Sequence, residues 1–473
     1  MHKWKKFSVT MSAIAAFTAM SFNISGTSFS ATTDYKFDFG GGGVQSGYIG
    51  TSASTAYSKS LGYGFNTPAN MKNVTASGTG AASDAVQFLT YGTKSTNTFN
   101  VDLSNGLYEV KVTLGNTSRA SVAAEGVFQI INMTGNNAVD KFQIPITDGQ
   151  LNLLITEGKA GTAFTLSALE IKKLSDNPAT NRTIYIGGDS TVCNYYPLDT
   201  SVQAGWGQML PKYVSTDHFQ IRNMASGGQI ARGFRDDGQF EAIMKYLKPG
   251  DYFIIQLGIN DTNAKNNTTE AQFKEIMRDM VVKAKATGAT VVLSTPQGRA
   301  TDFNVSNVHT AVGRWYRAST MALAKEENVQ LLDLNVLSST YFTSIGPDAT
   351  LALYMSGDTL HPNRAGATQL ARIVYESLKL PIGSPTPTNT STKAPTNTPL
   401  LTKAPSNTPT STAKTLVEDI NGDRVVNMAD VIMLARNFNA QVTDSTRSCD
   451  LNSDGVINMS DVIKVALKFN TSM

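Results

Sequence analysis

From Pro385 to Lys414 the chain reads PTPTNTSTKAPTNTPLLTKAPSNTPTSTAK. The stretch has no acidic residue, and TKAPTNTP at Thr392 recurs as TKAPSNTP at Thr402. It offers too few apolar side chains to offset the entropy of ordering, and its prolines keep it extended. Folding must therefore happen on either side of residues 382–415, which read as a stiff tether whose Thr and Ser hydroxyls are candidate O-glycosylation sites.

The 473 residues are enough for roughly three domains. At the N-terminus, Lys3, Lys5 and Lys6 precede an apolar run from about Phe7 to Phe22 and the small-residue site Ser28-Phe29-Ser30. This predicts a secretory signal peptide over residues 1–30; the run is too short for a membrane span. Those three lysines account for the whole formal net charge of +3. The remaining chain is neutral, which excludes an electrostatic case for nucleic acid or an anionic membrane. A secreted, extracellular protein is expected. The two cysteines, Cys193 and Cys449, lie on opposite sides of the tether and read as apolar fillers rather than a disulfide.

Residues 32–178 predict an all-β sandwich. YKFDF alternates Tyr35, Phe37 and Phe39 with polar residues, and LYEVKVTL places Tyr108, Val110, Val112 and Leu114 on one face. Gly, Asn and Ser clusters separate such runs. Tyr57 and Tyr63 could stack on sugars, although the aromatics here read mainly as core.

Residues 181–381 change character. TIYIG, FQIRN, YFIIQLG, TVVLS and VQLLDL alternate with helical patterns, best seen where Phe273, Ile276, Met277, Met280, Val281 and Ala284 form one stripe. This predicts an α/β three-layer, doubly wound parallel sheet with its chemistry at the carboxyl ends of the strands. The polar residues collect there: Ser190 after the first strand, Gly227 and Gly228 after the second, Asn260 and Asp261 after the third, Asp358 and His361 before the last helix.

Ser190 alone could be the N-cap of a following helix. Its distant partners favour a nucleophile. A serine hydroxyl needs a base, the base needs a carboxylate to fix its tautomer, and the tetrahedral intermediate needs fixed donors. His361, with Asp358 three residues before it, fills the first two roles. The N–H groups of Ser190 and Gly228 and the Asn260 amide can form an oxyanion hole, Gly228 because a missing side chain allows close approach. A helix starting at Ser190 would add a favourable dipole. Of the other histidines, His2 leaves with the signal and His218 lies away from the active edge. His309, placed at a helix start, could line a substrate cleft.

These residues resemble the SGNH (GDSL-type) hydrolases, in Gly188-Asp189-Ser190, the Gly228 loop, Gly258-Ile259-Asn260-Asp261 and Asp358-Thr359-Leu360-His361. Within them the domain resembles carbohydrate esterase family 12, the rhamnogalacturonan acetylesterase-like group, through GGDSTV, GWGQ at Gly205 and DTLHPNRAGA. The resemblance implies a flavodoxin-like fold and a Ser-His-Asp esterase without a catalytic cofactor. Its substrate would be acetylated plant cell-wall polysaccharide, rhamnogalacturonan or xylan. Ile259 stands where that family has His, and Gln229-Ile230 follow Gly228 where it has Gly-Arg-Ser, which leaves open which glycine donates. The sandwich resembles the galactose-binding-like modules that precede such domains. Two other readings are a GDSL-type lipase or arylesterase acting on short-chain esters, and a non-catalytic carbohydrate-binding scaffold component. The lack of a long apolar lid weighs against the first, and the complete Ser/His/Asp/Asn/Gly set against the second.

Residues 416–473 repeat DINGDRVVNMADVIMLARNFN as DLNSDGVINMSDVIKVALKFN. Each copy fits a calcium loop: Asp419, Asn421, Asp423, Asn427 and Asp430 with the Val425 carbonyl, then Asp450, Asn452, Asp454, Asn458 and Asp461 with that of Val456. Two polar helix-capping loops are the other reading, and the duplication favours calcium. The duplication, the Asp at position 12 and the preceding tether resemble a type I dockerin. That implies a small α domain, two Ca2+ ions, and a cohesin module on a cellulosomal scaffold as partner. Arg424 replaces the usual loop glycine, and Met428-Ala429 and Met459-Ser460 replace the common partner-reading Ser-Thr pair.

Overall fold

The computed structural model describes residues 34–69, 71–88, 97–156 and 164–381 and, nearer the C-terminus, 417–422, 425–438, 442–443, 446–453, 455–458, 461–462, 464–465 and 468. The expected signal peptide and tether lie outside the described residues, as do Asp423, Arg424, Asp454, Met459 and Ser460. The chain forms two compact units, one within residues 1–386 and the other within 387–473.

The first unit begins with the expected sandwich. One sheet runs, in spatial order, Val139–Ile146, Gly106–Leu114, Phe164–Ser175, Asp34–Phe39, Ile49–Thr51, with Asp84–Phe88 and Lys72–Thr75 attached beside Phe164–Ser175. The other runs Tyr63–Phe65, Phe99–Asp102, Gln150–Thr156, Arg119–Ala124, Val127–Thr134. The sheets meet through aromatic edges: Phe99 lies 5.0 Å from Phe37 and 4.9 Å from Phe39. Tyr108, Val110, Val112 and Leu114 are buried as their alternation predicts. The Tyr63 ring packs on Phe37, and the Tyr57 hydroxyl donates to Asp102, so both are partly used within the sandwich.

The strands of the second part are β1 (Thr183–Gly188), β2 (Gln220–Asn223), β3 (Tyr252–Gln256), β4 (Thr290–Ser294) and β5 (Gln330–Leu332). They are ordered β2-β1-β3-β4-β5 and all pair in parallel. The helices longer than five residues are α1 (Ala231–Asp236), α2 (Gln239–Tyr246), α3 (Glu270–Ala286), α4 (Arg317–Glu326), α5 (Leu334–Ile345) and α6 (Arg364–Leu378). Alternate strand residues feed two cores. Ile184, Ile186, Ile254, Val292 and Leu332 join α5, α6 and Trp206, while Tyr185, Phe253, Ile255, Val291 and Leu293 join α1–α4. This is the three-layer arrangement expected. The stripe on α3 is buried residue for residue, and a Thr269–Gln272 capping box starts that helix.

The core behind α1–α4 continues into the sandwich without a break. The strands Arg119–Ala124 and Val127–Thr134 are buried along almost their whole length because α2 packs on Val127–Thr134 from outside.

In the second unit, Val426, Leu434, Cys449, Ile457 and Val465 form a small core around helix α7 (Met428–Arg436). Cys193 and Cys449 are both buried and free, as expected of fillers. Among the described residues no helix is long and apolar enough to cross a membrane.

Candidate active site

The carboxyl ends of β1, β2 and β3 and the turn before α6 bring the expected residues together. Ser190 Oγ lies 2.9 Å from His361 Nε2, and His361 Nδ1 lies 2.7 Å from Asp358 Oδ2. The other Asp358 oxygen accepts the N–H groups of Leu360 at 2.7 Å and His361 at 3.1 Å. Burial pushes the Asp358 carboxyl up, but these amides and the His361 ring outweigh it, so the group sits below its ordinary range. The turn is closed by Met355 N donating to His361 O. A cavity of about 560 Å³ lined by Val202, Leu351, Tyr354, Met355 and Asn363 opens beside it.

No helix starts at Ser190, contrary to expectation. Residues 190–192 form a turn in which Val192 and Cys193 donate to Asp189 O. The carbonyls of Thr191 and Cys193 accept from Trp206 and Gly205 of the returning segment, so no helical ladder can form. Asp189 braces this turn, its Oδ1 accepting the Thr191 N–H at 2.9 Å and the Thr191 hydroxyl at 2.8 Å. A buried chain continues beneath it: Gln256 Nε2 donates to Thr191 Oγ1 at 2.9 Å, and Trp206 Nε1 to Gln256 Oε1 at 3.1 Å. Sequence reasoning passed over Gln256; its signal was one polar residue closing the apolar run YFII.

Gly228 has φ +76° in the turn Ser226–Gln229, closed by Gln229 N donating to Ser226 O. A Cβ there would meet nothing within 4 Å. Glycine is needed at 228 for its left-handed backbone. Neither the Ser190 nor the Gly228 N–H is hydrogen-bonded among the described residues. The Asn260 amide donates one proton to Gln229 O at 3.1 Å, which leaves its second proton for a ligand. Asp261 ties the two loops together, accepting Ala231 N at 2.9 Å and Gly258 N at 3.1 Å. Burial pushes its carboxyl up to about 6.

His309 does not line a cleft. It is 4 % exposed, bonded to Ser339 Oγ at 2.9 Å and Arg299 O at 2.7 Å, and wedged between Phe303 and Phe342. Its loop folds inward, and it lies well before α4, not at a helix start. Burial lowers its pKa.

In the second unit the two loops match bond for bond. Asp430 Oδ1 accepts Ile420 N and Asn421 N and its Oδ2 accepts Asn427 N; Asp461 does the same with Leu451, Asn452 and Asn458. Both carboxylates are fully buried. Asn427 Oδ1 accepts Ala429 N and so caps α7, as the capping reading expects of that residue. Among the described residues, Asp419, Asn421, Asn427 and Asp430 of one loop and Asp450, Asn452, Asn458 and Asp461 of the other carry the oxygen-bearing side chains that the calcium reading calls for.

Three family models match successive parts of the chain. Residues 35–172 match the beta-agarase/YXIM esterase-like, galactose-binding domain-like family, residues 187–369 the GDSL-like lipase/acylhydrolase family, and residues 417–470 the dockerin type I domain. The chain is 73% identical over 345 residues to "Uncharacterized esterase YxiM" of Bacillus subtilis, covering 73% of this chain and 90% of that one. It is 33% identical over 205 residues to "Probable rhamnogalacturonan acetylesterase YesY" of the same organism, covering 41% of this chain and 92% of that one. The crystal structure of the B. subtilis YxiM protein superposes with a TM-score of 0.72 at 72% identity, covering 73% of this chain and 98% of that one. Identity of this extent, over nearly the whole of the relative, makes the chain a member of the GDSL-like lipase/acylhydrolase family of ester hydrolases, with a galactose-binding-like domain before the hydrolase domain and a type I dockerin domain after it.

Proposed function

We propose that the protein is a secreted, cellulosome-associated esterase that hydrolyses O-acetyl esters of plant cell-wall polysaccharide, rhamnogalacturonan or xylan. The observation that carries the reading is the unbroken hydrogen-bonded line Ser190–His361–Asp358. In this mechanism His361 Nε2 takes the Ser190 proton as Oγ attacks the acetyl carbonyl. Asp358 keeps the other ring proton on Nδ1 and stabilises the imidazolium. The oxyanion is held by the Ser190 and Gly228 N–H groups and the Asn260 amide. Collapse breaks the ester bond, and the leaving sugar oxygen takes the proton back from His361. A water molecule, deprotonated by the same ring, then attacks the acyl-serine and releases acetate.

The acetylated substrate is supported by the relative named as a probable rhamnogalacturonan acetylesterase, and the cell-wall setting by the dockerin match. The proposed division is a signal peptide over 1–30, the sandwich over 32–178, the esterase domain over 181–381, the tether over 382–415 and the dockerin over 416–473. Two calcium ions held by the loops at 419–430 and 450–461 would order the dockerin for a cohesin partner; the metal would be structural, with no part in ester hydrolysis.

Ser190→Ala is expected to abolish acetate release from acetylated polysaccharide while the thermal unfolding midpoint is kept. Retained turnover would overturn the assignment. Rates on aryl esters of rising acyl length separate this reading from a lipase, since an acetylesterase loses activity beyond short chains.

A further inference from the structure

The sandwich touches the glycine loop that lies beside Ser190. Asn132 Nδ2 donates to Ser226 Oγ at 2.5 Å, and Ser226 opens the turn that carries Gly228. Ser226 is 8 % exposed, and its own N–H donates to Gly188 O at the end of β1. Its side chain therefore stands between the strand leading to Ser190 and the sandwich.

Asn132 is placed for this contact at a cost. Its φ is +52°, a conformation that an L side chain seldom adopts, and its N–H is held by Ser121 Oγ at 3.0 Å. The register of Arg119–Ala124 against Val127–Thr134 is broken on both sides of Val122, next to Ser121. Such irregularities re-aim side chains. The same face is tied down nearby: Arg222 of β2 donates to Gln129 Oε1 at 2.6 Å, Phe128 lies against Gly238 at the start of α2, and Gln239 of α2 accepts from Gln229 at 2.7 Å.

We infer that Asn132 is a positioning residue for the esterase reaction: through Ser226 it fixes the Gly228 turn, so the sandwich forms part of the oxyanion hole's support. The inference rests on the esterase reading of Ser190 and Gly228. It assigns the sandwich a task on every ester, including those with no sugar to bind.

The test uses the full chain and p-nitrophenyl acetate. Asn132→Gly keeps the left-handed backbone available and removes the amide. It is expected to lower kcat about tenfold with KM nearly unchanged, short of the roughly 100- to 1,000-fold that follows outright loss of an oxyanion donor. Asn132→Asp, which can accept a hydrogen bond from the Ser226 hydroxyl, is expected to restore most of kcat. Ser226→Ala, made from the other side, should match Asn132→Gly, and combining the two should cost little more than either alone. A purely structural role would lower the unfolding midpoint without the rescue by Asp. A sugar-binding role would change KM on polysaccharide alone. Wild-type kcat in Asn132→Gly and Ser226→Ala overturns the inference. Ser190→Ala is measured beside them: if it stays active, the esterase reading itself fails, whatever the Asn132 variants do.

Discussion

Asp189 lies fully buried one residue before Ser190, and its Oδ2 has no hydrogen-bond partner among the described residues. Burial dominates its titration and pushes the carboxyl up from 3.8 to about 6, against the two Thr191 hydrogen bonds. Between those values the folded chain holds a proton that the unfolded chain has released. The group's contribution to stability is therefore full below about pH 4, falls as pH rises to about 6, and is absent above. A shift of this size corresponds to on the order of 1–3 kcal/mol. Asp189→Asn keeps an oxygen for Thr191 and removes the charge. It is expected to raise the melting temperature at pH 7.5 and flatten its dependence between pH 4 and 6; an unchanged slope would assign that proton uptake to other groups. The sequence displays Asp189 beside Ser190, but only the fold reveals that it is sealed from water and that its Oδ1 braces the serine turn.

At the scale of elements, the loop after β3 depends on one close approach. Gly258 has φ +121°, and a Cβ there would fall 2.2 Å from the Trp315 carbonyl oxygen. The Trp315 backbone is itself left-handed, and its ring is flanked by Arg299 at 5.4 Å and Arg314 at 5.0 Å, so it has little freedom to yield. Gly258→Ala should cost about 1–3 kcal/mol from backbone strain alone. It should also displace Asn260 and Asp261, lowering kcat at least tenfold. Gly313→Ala, in open space with an ordinary φ, is the control expected to leave both values unchanged. Comparing kcat and melting temperature of the two variants checks this. The α3 stripe was legible from its helical period, and the five parallel strands as short apolar runs alternating with helical segments. The strands Arg119–Ala124 and Val127–Thr134 were not, because burial on both faces erases alternation and the covering helix is about 110 residues away in the chain. His309 misled for a related reason: nothing local distinguishes a loop that folds inward from one that lines a cleft.

At the scale of the whole molecule, two compact units joined by a Pro/Thr tether should respond to different ligands. The dockerin loops bury Asp430 and Asp461 completely, and among the described residues neither carboxylate has a cationic side chain within 4 Å. The small core of the unit, five fully buried side chains among the described residues, is too little to hold such charges in place unaided. Calcium bound only by the folded form stabilises it by RT ln(1 + [Ca2+]/Kd), about 2.7 kcal/mol at one hundred times Kd. In calorimetry of the full chain, we expect two transitions, with excess chelator lowering or abolishing the one that belongs to the dockerin and leaving the esterase unit unmoved. Asp461→Ala should make the dockerin transition insensitive to calcium at that loop while acetate release stays at the level of the unaltered chain. Two transitions that both ignore calcium would refute the metal sites. Two that both follow it would overturn the energetic separation of the units, which is expected because a linker of this composition has too few apolar side chains to transmit a packing change.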